Sequence, residues 1–143
     1  MDYLNNLENN IKEICDECGY KGSEKCNYRK CNIGFADYVA KNIKNNFTYS
    51  IEDGESLIPR DDLKYYDEKI IARGIANICR LCKECNENHS ENCVIALIRR
   101  SLEYTQLGDK IAYPGNVIIY LMNVSEQKPE LAELIKEEYT SIG

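Results

Sequence analysis

Apolar residues recur along this chain at intervals of three and four, the period of a helix that buries one face. Leu4, Leu7, Ile11 and Ile14 form the first such stripe, which leads directly into Cys15. Phe35, Val39 and Ile43, with Ala36 and Ala40, form a second. A polar stretch from Asn45 through Asp53-Gly54 to Ser56 reads as the central loop. Pro59 and the acidic pair Asp61-Asp62 then predict the opening of a long helix that carries Leu63, Tyr66, Ile70, Gly74 and Ile78 into Cys79. Ser90-Glu91 predicts the next start, with Val94, Leu97, Ile98 and Leu102 facing inward and Gly108 as the stop. Tyr113-Pro114-Gly115-Asn116 opens a short apolar helix through Val117, Ile118, Leu121 and Val124, and a last amphipathic helix begins near Pro129 with Leu131, Leu134, Ile135 and Tyr139. No segment alternates in the manner of a strand. The expected class is all-α, a small helical domain of about five or six helices.

Length and composition narrow this picture. The 143 residues suit one domain over 1–143, with one cysteine-rich helix–loop–helix in 1–47 and a second, followed by further helices, in 59–143. Hydrophobic residues make up 43% of the chain, enough for a core; Tyr and Ile supply its bulk, because there are two Phe and no Trp. The formal charge of −6 sets the protein as a whole against nucleic acid and anionic membrane. No run approaches the roughly 20 apolar residues that span a bilayer. Met1-Asp2-Tyr3-Leu4-Asn5-Asn6-Leu7-Glu8 has neither a basic nor an apolar leader region, so a cytoplasmic location is expected and the sequons at Asn46, Asn88 and Asn123 carry no meaning. In a reducing compartment, eight cysteines point to metal ligation or redox chemistry; in an exported chain they would point to four disulfides.

The cysteines fall into two groups, Cys15, Cys18, Cys26 and Cys31, and Cys79, Cys82, Cys85 and Cys93. Cys15-Asp-Glu-Cys18, seven residues, then Cys26 is echoed by Cys82-Lys-Glu-Cys85, seven residues, then Cys93. The echo extends to Ser-Glu-Lys-Cys26 against Ser-Glu-Asn-Cys93, as internal duplication or convergence on one loop geometry would give. Cys31 follows its triplet, whereas Cys79 precedes its own. In each group the early ligands are expected at or just after a helix C-terminus and the late ones near the start of the next helix. There, unpaired N–H groups and the helix dipole stabilise a thiolate. Lys21, Lys25, Arg29 and Lys30 surround the first group, and Arg80, Lys83, Arg99 and Arg100 the second. They are either counter-charges for a four-thiolate centre or ordinary solvated surface.

Three thiolates two residues apart, Cys79, Cys82 and Cys85, can wrap three corners of an iron–sulfur cubane while Cys93 closes the fourth. Over these seven residues the string resembles the ligand run of bacterial ferredoxins, whose later spacing and final proline it lacks: Val94 follows Cys93. Cys15-Asp-Glu-Cys18-Gly19-Tyr20 resembles a zinc knuckle, in which a glycine lets backbone amides point at the sulfurs. The second group can also be written Cys82-x2-Cys85-x3-His89-x3-Cys93, which is close to the zinc knuckle of retroviral nucleocapsids but one residue short in each late interval. His89, the single histidine, stands between Asn88 and Ser90 in a polar loop and is expected to be exposed and inert; were it a ligand, Cys79 would be released. Ligands can also interleave, Cys15 and Cys18 meeting Cys82 and Cys85. Local sets are preferred, since each group already holds four cysteines and short loops close at lower entropic cost.

The expectation is two metal centres, as two iron–sulfur clusters, 4Fe-4S favoured, or as two zinc ions. Iron–sulfur clusters would serve electron transfer, redox sensing or cluster delivery. Zinc would staple the helices of a non-catalytic module that contacts a protein partner. The run Val117-Ile118-Ile119-Tyr120-Leu121-Met122 offers such a contact, although its helical period assigns it to the core. A nucleic-acid role would rest on Arg29-Lys30 and Arg99-Arg100 alone. An enzyme is disfavoured: a hydrolytic zinc site needs an open position and mixed ligands, and no glycine-rich phosphate loop follows a strand. Asp61-Asp62 and Glu137-Glu138 read as helix-start charges and a solvated face. A thioredoxin-like use of either Cys-x2-Cys lacks its βαβ context.

Overall fold

A computed structural model describes residues 3–17, 31–46, 51, 54–59, 66–84, 94–107, 111 and 117–142. Every regular element among them is helical: α1 (Tyr3–Glu17), α2 (Asn32–Asn46), α3 (Gly54–Leu57), α4 (Glu68–Glu84), α5 (Val94–Glu103), α6 (Val117–Gln127) and α7 (Pro129–Ile142). The chain is all-α over these residues, and none of the helices is long and apolar enough to cross a membrane.

The stripes read from the sequence are the buried faces. Leu7, Ile11 and Ile14 of α1, Phe35, Ala36, Val39 and Ala40 of α2, and Leu97, Ile98 and Leu102 of α5 meet Ile71, Ile75 and Ile78 of α4 in one core. α1 packs on α2 and α4, and α5 packs on α2 and α4, so these four helices close a ring. α7 covers the outer side of α4, α6 lies on α7, and α3 rests on α5. Gly54 permits that last contact, because a Cβ there would come within 2.5 Å of Leu97 Cδ1.

Polar pairs fix the direction of each helix in the ring. Asn77 of α4 donates to Asn10 of α1, and Arg73 of α4 pairs with Glu13 of α1 at 3.0 Å, so the two helices run antiparallel. Asn32, opening α2, donates to Ser101 Oγ near the end of α5 at 3.2 Å and, at 2.9 Å, to the Pro59 carbonyl; Ser101 Oγ donates back to the Asn32 carbonyl at 2.7 Å. Gln106, just past α5, donates to the carbonyl of Tyr66, just before α4, at 3.1 Å. The ring is therefore an up-down-up-down bundle. The first helix of one cysteine-bearing pair packs on the first helix of the other, and the second on the second.

Three expectations are corrected. The long helix begins at Glu68 rather than at Pro59, because Asp67 Oδ1 caps it, accepting from the amides of Lys69 at 3.0 Å and Ile70 at 3.1 Å. The central loop contains a turn of helix, α3. Ile118, Ile119 and Met122 are not core: Ile118 is 66% and Met122 63% exposed, while Tyr120 and Val124 are buried, because among the described residues α6 packs chiefly on α7. Asp61, Asp62, Ser90, Glu91, Gly108 and residues 113–116 lie outside the described residues. If Asp67 is the cap, Asp67→Ala should cost about 1 kcal/mol in a denaturant titration and Asp67→Asn much less; an equal loss from both would assign the effect to charge instead.

Candidate metal centre

Of the eight cysteines, Cys15, Cys31 and Cys79 have described side chains, and all three are thiols rather than disulfides. Cys18, Cys26, Cys85, Cys93 and His89 lie outside the described residues, as does the side chain of Cys82, whose backbone is in α4. Among the described residues no three His, Cys, Asp or Glu side chains gather as a metal site.

Cys15 stands in the last turn of α1. Cys31 is the residue before α2, and its carbonyl accepts the first bond of that helix, from the amide of Phe35 at 2.8 Å. It thus occupies the N-cap position of α2. Its Sγ lies 3.1 Å from the Tyr66 hydroxyl, and a thiolate there could only accept that bond. Cys15 and Cys31, sixteen positions apart, line one cleft of about 350 Å³ between α1 and α2. Ile11 and Ile33 line its apolar part; Glu8, Lys12, Asp37 and Lys41 supply charge. Asp37 and Lys41 are paired at 2.8 Å, and the hydrogen bond to Asp37 followed by its charge holds the Lys41 ammonium above its ordinary value. Lys12 and Lys41 were not among the cations expected here; Lys12, one turn before Cys15 on the same helix, was the available signal. Lys21, Lys25, Arg29 and Lys30 lie outside the described residues.

The second group is set differently. Cys79 does not sit at a helix C-terminus, because α4 continues to Glu84; it is 1% exposed and packs with the core as a small apolar side chain. Positions 79 and 82 are one helical turn apart, where Cβ atoms are about 5–6 Å from each other, a span that two thiolates on one metal can bridge. A loop that wraps a cluster can begin only after Glu84.

Arg80, Arg99 and Arg100, near this group, are not solvated surface, and the side chain of Lys83 lies outside the described residues. Arg99 is 4% and Arg100 8% exposed, so the pair is not a basic patch for nucleic acid. Arg99 Nε donates to Glu103 Oε2 at 3.2 Å, and the Tyr120 hydroxyl donates to the same oxygen at 2.5 Å. The Arg99 guanidinium stands 5.6 Å from the Tyr120 ring centre. Arg80 stacks on the Tyr139 ring at 3.8 Å and donates to the Tyr139 carbonyl at 2.7 Å, tying α4 to α7. Burial raises the Glu103 carboxyl above its ordinary 4.5, opposed chiefly by the charge of Arg99 and by the Tyr120 hydrogen bond. Burial and the Glu103 charge, with a smaller push from Cys79, hold Tyr120 well above its ordinary value and keep it a neutral donor. A buried Arg–Glu–Tyr set looks in sequence like ordinary helix-surface charge, since Arg99 and Glu103 have the four-residue spacing of a solvated pair.

The antiparallel register separates the two groups. With Asn10 opposite Asn77, the C-terminal end of α4 lies opposite the beginning of α1. Along the bundle the ends of α1 and α4 that carry the Cys-x2-Cys pairs are then about 20 Å apart, at a rise of about 1.5 Å per residue. Four sulfurs on one zinc each lie about 2.3 Å from it. Position 82 is far from Cys15 on this scale.

Compared with protein-family models, with curated proteins and with solved structures, the chain matches none.

Two substitutions test the buried set. Tyr120→Phe leaves Glu103 Oε2 without its hydroxyl donor and should cost about 1–3 kcal/mol by denaturant unfolding. Because the folded-state value of Glu103 is raised, the native state holds its proton longer than the unfolded chain, and stability from this group is present at low pH and lost as pH rises through 4.5 and above. The stability of Glu103→Gln relative to the parent should therefore rise with pH over that window; a pH-independent difference would contradict the assignment.

Proposed function

We propose that this protein binds metal at two local four-cysteine centres, one held by Cys15, Cys18, Cys26 and Cys31 and the other by Cys79, Cys82, Cys85 and Cys93. The observation that carries the proposal is that Cys15 and Cys31, first and last of their group, line one cleft at one end of the bundle, as thiols. A chain that closes a local site must bring those two together. The like-on-like packing of the two helix pairs supports reading them as one duplicated unit, each with its site at the junction between its helices.

Iron–sulfur clusters, 4Fe-4S favoured, are the first assignment, serving electron transfer, redox sensing or cluster delivery in the cytoplasm with protein partners. The acidic balance of the chain suits docking on a larger basic partner. When bound, such a cluster supplies one-electron chemistry, and the chain's part is to hold the sulfurs, exclude water and place cations nearby. Zinc is the second reading, favoured by the burial of Cys79 in the core and by the helical placement of positions 79 and 82, which suit a staple. In that reading the protein is a non-catalytic interaction module, and Ile118, Ile119 and Met122 on α6 give it an exposed apolar face. Neither reading assigns a catalytic residue.

Metal and acid-labile sulfide counted on protein purified without oxygen tests both assignments. Two cubanes give about eight irons and eight sulfides per chain; two structural sites give about two zincs, no sulfide and no visible absorbance. Cys18→Ser and Cys85→Ser should each remove about one centre and lower stability. Loss of both centres from either change would contradict local sets, and metal-free protein would overturn the proposal.

A further inference from the structure

We propose that the outward side of α6 is a docking site for a single amphipathic helix of a partner protein, one whose apolar anchors are flanked by Lys or Arg. The inference deepens the reading that this protein meets a protein partner, and it stands independently of any metal.

Three large apolar side chains share this side. Ile118 is 66%, Ile119 46% and Met122 63% exposed. Spacings of three and four residues bring them together on the helix, away from the buried Tyr120 and Val124. A lone exposed apolar residue is ordinary, whereas a group of them on one side marks a contact surface. The helix that carries them is also fixed to the bundle. The Tyr120 hydroxyl donates to Glu103 at 2.5 Å, and Lys128, just past α6, reaches Gln106 at 2.9 Å and Glu68 at 3.6 Å. A surface held in this way has little freedom left to lose when a partner binds.

Charge and extent decide the occupant. α6 contains no Lys or Arg, and the exposed Glu126 continues the row of Ile118 and Met122 at the same four-residue step. α7, on which α6 packs, exposes Glu130, Glu133 and Glu137, with Lys136 as its one cation. The hairpin of the two helices therefore shows a clear excess of carboxylates, Glu126, Glu130, Glu133 and Glu137 against Lys136. A second copy of this chain would bring like charges together. It would also find too little to bury, since three partly exposed side chains fall well short of the roughly 800 Å² per partner of a standard interface. Nucleic acid and anionic membrane are repelled by the same excess. One helix matches both the extent and the sign. Its apolar residues at helical spacing seat against Ile118, Ile119 and Met122, and its cations complement the acidic hairpin. Met122, unbranched and polarisable, adapts to the anchor it meets. An area this small makes the contact transient.

Fluorescence anisotropy tests the proposal on the full chain, with a labelled amphipathic Leu–Lys helical peptide of about five turns as the probe. The same peptide with Glu in place of Lys, and one of the same composition with its apolar spacing scrambled, serve as controls. The Leu–Lys peptide should bind, and both controls should bind at least about tenfold more weakly. Ile118→Ser and Met122→Ser together change no charge and alter only exposed positions; they should weaken binding at least about tenfold with the circular dichroism spectrum unchanged. Glu126→Gln should weaken it and flatten its salt dependence. Equal binding by the double Ser variant, or by either control peptide, would reveal diffuse attraction and overturn the proposal, as would no binding of the Leu–Lys peptide. Sedimentation that shows a dimer of the parent chain, dissolved by the double Ser variant, would assign this side to a second copy and overturn it too. Metal counted on the same samples separates this inference from the metal reading. Metal-free protein that passes the peptide test overturns only the metal centres, and metal-loaded protein that fails it overturns only the docking site.

Discussion

The buried face of α4 is the constraint on which the other helices depend. Ile71, Ala72, Ile75, Ala76, Ile78 and Cys79 are all removed from water on one seventeen-residue helix, and the surfaces that cover them come from α1, α5 and α7. In proteins most helical stability comes from packing of an amphipathic face rather than from propensity. Each helix stands because its stripe is buried against its neighbours, and α4 packs on α1, α5 and α7 at once. Fully burying one Ile or Leu is worth about 1.5–3 kcal/mol relative to exposure, so losing the α4 contact would remove the support of three helices at once. The cleft depends on the same helix, since Tyr66 approaches Cys31 from the residues just before α4.

Within this apolar frame a few buried polar groups choose one arrangement. Asn10 with Asn77, Asn32 with Ser101, and Arg99 with Glu103 and Tyr120 each join helices or hold charges that would be costly if mispaired. They specify direction and register more than they add stability. A slip of one helix along another would leave amides and a carboxylate in the core without partners. The register they hold also sets Cys15, near the end of α1, away from the C-terminal end of α4.

Much of the scaffold was legible in the sequence, because a helix that buries one face must repeat its apolar residues at three and four. Leu7, Ile11 and Ile14, or Leu97, Ile98 and Leu102, leave little choice. The features that escaped are those where tertiary surroundings override the local pattern. Asp67 competes with Pro59 as a helix start, and which of them caps is decided by hydrogen bonds that periodicity does not encode. Ile118 and Met122 match the pattern of a core stripe but are exposed. Arg99 and Glu103 match that of a solvated pair but are enclosed by α6 through Tyr120. In the candidate site, Cys15 and Cys31 meet because one ends α1 and the other opens α2, two helices that pack together. The burial of Cys79 was hidden, since a thiol in a helix is equally good as ligand and as filler.

In the proposed centres sulfur alone would hold the metal. X-ray absorption at the edge of the resident metal, on protein purified without oxygen, tests it directly. A first shell of sulfur only, with metal–sulfur distances near about 2.3 Å for zinc and no nitrogen or oxygen contribution, is the predicted result. A shell containing nitrogen or oxygen ligands at about 2.0–2.2 Å would contradict all-cysteine centres.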